Sequence, residues 1–118
     1  MGVDTTFQPK TPTYAVDSSA AVVIDGRQDG VTSWRIRLVE VTPAVGGTAY
    51  IKWANGNATA PTAPTAPVLG TPVVNTLGVN LGQTLYIEGV GAWLQFIASV
   101  AIAAANFEVT GGQGGTGG

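Results

Sequence analysis

The chain has no cysteine and no histidine. These two absences remove disulfides, zinc thiolate sites, thiol nucleophiles, Ser-His-Asp catalysis and the commonest neutral-pH base and metal ligand. Charge is also scarce: charged residues make up 10% of the 118 residues, against about 25% in an average globular domain. The five basic residues, Lys10, Arg27, Arg35, Arg37 and Lys52, are scattered and outnumbered by seven acids, for a net charge of -2. The cationic footprint that phosphate neutralisation requires is missing, so nucleic acid is not an expected partner. The longest near-apolar run, residues 90–105, contains Gln95 and falls short of the roughly 20 residues a membrane-spanning helix needs. No membrane partner is expected either. The opening MGVDTTFQPK carries neither the basic nor the apolar region of a signal peptide.

The acids, Asp4, Asp17, Asp25, Asp29, Glu40, Glu88 and Glu108, are the remaining candidates for proton transfer. A glycosidase pair needs two carboxyl groups about 5 to 10 Å apart across a cleft, and nothing in the spacing brings two of these together. Asp25-Gly26 and Asp29-Gly30 have the composition of turns. As a calcium cage they are poor, with Arg27 between them and no EF-hand spacing. The expectation is a protein that is not an enzyme and takes no metal or cofactor. Asn57-Ala58-Thr59 matches a glycosylation sequon, read as incidental without a signal peptide.

What is present points to one β domain. A chain of this length buries about two thirds of its unfolded surface in a single core. The core is expected to centre on residues 84–110, which hold Leu85, Ile87, Trp93, Leu94, Phe96, Ile97, Ile102, Phe107 and Val109. Residues 31–42 alternate cleanly, Trp34, Ile36 and Leu38 against Arg35 and Arg37, giving a strand with an apolar inner and a basic outer face. Residues 48–55, TAYIKWAN, read as its hairpin partner. Further strands are expected at 19–24, within 73–81, at 84–88, at 92–99 and at 106–110; alanine in 99–104 leaves a short helix open. In 92–99 both faces are largely apolar, as in a central strand covered on both sides. Seven or eight short strands separated by Gly, Pro, Asn and Asp define an all-β, antiparallel two-sheet β-sandwich, jelly-roll-like in preference to a closed barrel.

Three segments stand apart from that domain, set at 19–110. Residues 1–18 hold Phe7, Pro9, Pro12 and Tyr14 and read as an extended N-terminal arm, because each proline removes a donor and pushes its predecessor toward extended geometry. Within residues 57–72, Pro61, Pro64 and Pro67 recur every third residue, the period of polyproline II, which places them on one face of a stiff protruding loop. Residues 111–118, GGQGGTGG, read as a glycine-rich tail, flexible unless neighbouring subunits hold it. Little charge, extended ends and a stiff loop suit a subunit that covers large partner surfaces. The candidate assembly residues are therefore Phe7, Pro9, Pro12, Tyr14, Pro61, Pro64, Pro67, Gly111, Gly112, Gly114 and Gly115.

The succession of an N-terminal arm, AYIKWANGN, LYIEGVGAWLQFIAS and a terminal FEVTGG in a cysteine-free chain resembles small virion proteins of tailed bacteriophages, in particular capsid decoration or cement proteins. The likeness covers the last two thirds of the chain. It implies a jelly-roll-like subunit, often a homotrimer, made in the host cytoplasm and bound on the virion's outer surface, where it touches the major capsid protein and copies of itself and stabilises the shell. Two other readings fit the same residues. One is a carbohydrate-binding or adhesin-type sandwich with Trp53, Trp93 or Tyr86 stacking on sugar, although core packing better explains Trp34 and Trp93. The other is a tail or head-fibre base protein.

Overall fold

The described residues form eight strands: β1 (Gln8–Val16), β2 (Val22–Asp25), β3 (Ser33–Thr42), β4 (Thr48–Asn55), β5 (Thr76–Asn80), β6 (Thr84–Glu88), β7 (Trp93–Ala98) and β8 (Ala104–Gln113). This computed structural model describes residues 6–42, 48–99 and 104–115, and for 40–42 and 104–105 the backbone alone. There is no helix among the described residues.

The strands form two antiparallel four-stranded sheets, ordered β1-β8-β3-β6 and β2-β7-β4-β5. Four of the pairings are β1 with β8, β2 with β7, β3 with β6 and β4 with β5. Each strand thus lies beside the one equally far from the opposite end, as in a long hairpin folded back at residues 56–75. The expected hairpin between residues 31–42 and 48–55 does not form: β3 bonds to β6 and β8, whereas β4 bonds to β5 and β7 in the other sheet. Local alternation specifies which face of a strand is apolar, but not which neighbour completes its ladder.

The core lies between the sheets. From the first come Val16, Trp34, Ile36, Leu38, Phe107 and Val109; from the second, Ile24, Ala49, Ile51, Val79, Leu94, Phe96 and Ala98, all buried. Trp34 meets Phe96 edge-on across the layer at 5.3 Å, a geometry that adds about 1 kcal/mol to the burial itself. The indole Nε1 donates to the Gly91 carbonyl at 2.8 Å, so the buried ring is satisfied at its polar corner. Gly91 has φ +109°, a backbone that glycine adopts without Cβ strain.

Within the segment expected to form an extended N-terminal arm, Gln8–Val16 is strand β1, paired with β8 at the edge of the first sheet. Proline fits there because an edge strand has one row of donors with no ladder to complete. The ladder slips between Pro9 and Thr13, and within the slip the Thr11 hydroxyl accepts from the Gly111 N–H at 3.0 Å. Past the slip, Val16 is buried and Tyr14 packs against the core. The glycine tail is also shorter than expected, since β8 runs through Gly111 and Gly112 to Gln113. The β domain therefore extends beyond 19–110 at both ends.

Candidate functional site

The outer face of the first sheet is built from the residues opposite the core. Across it, Thr13 pairs with Thr110, Thr110 with Arg35, and Arg35 with Tyr86. The Thr13 and Thr110 hydroxyls lie 2.7 Å apart, and Arg37 meets Glu108 at 3.3 Å in an exposed pair. Phe7 lies over one end of this face, its ring 5.5 Å from Tyr86 and 5.2 Å from the Arg35 guanidinium carbon. Contacts of this kind contribute about 0.5 to 1 kcal/mol each when partly exposed.

Of the four candidate glycines, Gly112 and Gly115 lie against Phe7 on this surface, whereas Gly111 pairs with Trp34 and faces the core. A Cβ on Gly111 would stand 2.9 Å from the Trp34 ring, and one on Gly112 would stand 2.3 Å from the Gln8 carbonyl oxygen and 2.6 Å from Phe7. On Gly115 it would meet Tyr86 at 2.8 Å and Phe7 at 2.9 Å. Gly114 and Gly115 take positive φ, 79° and 80°, and the Ser33 hydroxyl donates to the Gly114 carbonyl at 2.9 Å. These glycines let backbone lie directly on aromatic rings. The structure thus brings Phe7, Gly112 and Gly115 together. Pro9 and Pro12 are exposed on β1, while Tyr14 turns toward the core. Residues 116–118 of the expected tail and 1–5 of the expected arm lie outside the described residues.

The three loop prolines do not share one environment: Pro61 is half-buried, Pro64 buried and Pro67 exposed. The first part of the connection is tied to the outer face of the second sheet. Gly56 N–H donates to the Trp93 carbonyl at 2.8 Å, and the Gln95 side-chain amide donates to the carbonyls of Asn55 and Ala58 at 2.9 and 2.8 Å. Gln95 and Ile97 sit opposite the core on β7 yet are only 3% and 7% exposed. Both faces of this central strand are therefore covered, as the sequence led us to expect. Gln95 was not among the expected site residues; a polar side chain inside an apolar run was its one signal.

The far part of the connection projects. Val68 and Thr71 exchange two backbone hydrogen bonds, 3.4 and 2.9 Å, around Leu69 and Gly70, and Gly70 has φ +84°, the backbone of a tight turn with glycine at its third position. Side chains at and near this tip face solvent: Leu69 at 105%, Val74 at 72% and Val68 at 63% relative exposure. No charged residue occurs between Lys52 and Glu88.

The aromatic residues considered for sugar stacking already have neighbours. Trp93 has the Arg27 guanidinium 3.7 Å above its ring, and a Cβ on Gly56 would stand 2.4 Å from the same ring. Trp53 packs against the core and Tyr86 against Phe7. Asp25 holds Arg27 through bonds of 2.9 and 2.7 Å, and these bonds lower the Asp25 pKa below its ordinary value. The Asp17 pKa is lowered by the Ser19 hydroxyl and N–H. Among the described residues no group of three or more acids is placed to hold a metal ion. No protein-family model, curated protein or solved structure matches this chain.

Proposed function

We propose that the chain is a non-enzymatic structural protein of a phage particle, a decoration or cement subunit that binds the outer surface of the capsid and stabilises it. Its partners on this reading are the major capsid protein and further copies of the chain, with a homotrimer as the assembled unit. The observation that carries the reading is the uncharged, apolar-tipped projection of residues 66–74, followed directly by Asn75, whose carbonyl accepts from the Trp53 N–H of the second sheet at 3.0 Å. Apolar side chains displayed this way are a liability on a free protein and an asset on one that is covered by a partner. The strand order favours a jelly roll, since two sheets of four in this order correspond to two nested Greek keys. A fold of this kind hosts many functions, so the weight rests on the surface.

The test is co-sedimentation of the purified chain with capsids from the phage that encodes it, first stripped of the chain. The expected result is saturable binding at a fixed ratio to the major capsid protein, with bound capsids surviving heating that ruptures bare ones. Capsids that neither bind the chain nor gain stability from it overturn the reading.

A further inference from the structure

We infer that the turn at residues 68–71 is the anchor of the interface: Leu69 inserts into an apolar pocket on the partner protein, with Val68 and Val74 packing at its rim. The inference rests on the capsid reading and names the contact that performs it.

Three features support it. First, Leu69 is fully exposed at the tip of a turn closed by two backbone hydrogen bonds, so little ordering entropy opposes its insertion. Pre-organised apolar anchors that fill a pocket carry most of the energy in interfaces of this kind. Second, the stretch between Lys52 and Glu88 has no charge to complement, which selects an apolar and neutral partner surface. It also lacks what a lipid surface calls for: residues 54–85 contain neither an aromatic nor a basic side chain, whereas interfacial membrane anchors combine Trp or Phe with Lys or Arg. Third, among the described residues the other exposed large apolar side chains, Val23, Val39, Leu81 and Tyr86, lie on strands or turns other than the one that forms this tip. Among the described residues only Val68 and Leu69 are exposed large apolar side chains adjacent in sequence, and on this inference they seat on the major capsid protein.

The experiment measures binding of four full-length proteins to stripped capsids: wild type, Leu69→Asp, Leu69→Met and, as a distant exposed control, Gln28→Asp. Each is also tested by flotation with vesicles of phosphatidylcholine and phosphatidylglycerol. Because Leu69 touches solvent alone, circular dichroism and thermal midpoints are expected to stay the same in all four. Leu69→Asp is expected to weaken capsid binding by about tenfold or more, while Leu69→Met and Gln28→Asp bind as wild type does. If wild type and Leu69→Asp bind capsids equally, the anchor is overturned and the capsid reading stands. If wild type binds no capsids, both are overturned, and flotation with vesicles in that case identifies a lipid surface as the occupant.

Discussion

The glycines sort by what surrounds them, and substitution separates the groups. Gly112 has the Gln8 carbonyl oxygen 2.3 Å from where a Cβ would be, and that neighbour is backbone. Gly112→Ala is therefore expected to force β1 away from β8 and destabilise the fold by about 1 to 3 kcal/mol, the usual penalty for overpacking. A Cβ on Gly82 would meet nothing within 4 Å, and its φ is +81°. Gly82→Ala is expected to cost only the strain of that backbone, about 1 kcal/mol. Thermal unfolding of the two variants checks the order, and equal shifts would show that crowding at Gly112 relaxes freely. In sequence both residues read as turn or tail. Crowding is set by Phe7 and Gln8, which reach Gly112 from the other end of the chain, so no local pattern reveals it.

At the scale of strands, what was legible follows from how local the cause is. The limits of β4 and β6 follow from alternation and from flanking Asn-Gly and Gly signals, and the structure places both strands where the sequence puts them. The inward set Trp34, Ile36 and Leu38 is likewise buried. Strand β1 escaped notice because Pro9 and Pro12 argue against a ladder, and the compensations, an edge position and the Thr11 hydroxyl, depend on β8. The burial of Pro64 and the capping of Gln95 were hidden for the same reason. The β1 placement reverses a simple expectation: deleting residues 1–18 removes an entire edge strand together with Val16 from the core. Such a truncation is expected to lose the cooperative thermal transition and the β-rich circular dichroism of the full chain. A truncated chain with an unchanged spectrum and midpoint would show that β1 is dispensable.

For the molecule as a whole, the missing histidines set the response to pH. No side chain of ordinary pKa titrates between about pH 5 and 8, so the thermal midpoint is expected to be flat over that range. Asp17 and Asp25 have pKa values lowered from 3.8 in the folded state. A lowered folded pKa means that the stability these groups contribute is present above the unfolded value and lost as pH falls through the folded one. The loss should therefore begin below about pH 4, and it should be small because both carboxylates are exposed. A midpoint that changes between pH 5 and 8 would point to a titrating group other than these.

The two ends of the described chain touch: a Cβ on Gly115 would stand 2.9 Å from that of Phe7, and β1 lies along β8. A linker of about four residues, which spans up to about 13 Å, can join residue 115 to residue 7. New ends can be opened between the exposed residues Thr59 and Ala60, in the connection where the long hairpin turns back. In that circular permutant β8 and β1 become sequence neighbours and form a local hairpin, whereas in the natural order their pairing closes the longest loop in the protein. Folding rates rise as contacting residues come closer in sequence. The permutant is accordingly expected to reach the same two sheets and to refold faster than the natural chain in stopped-flow experiments. Equal rates would mean that closing the ends is not the slow step, and that the time is spent within the halves.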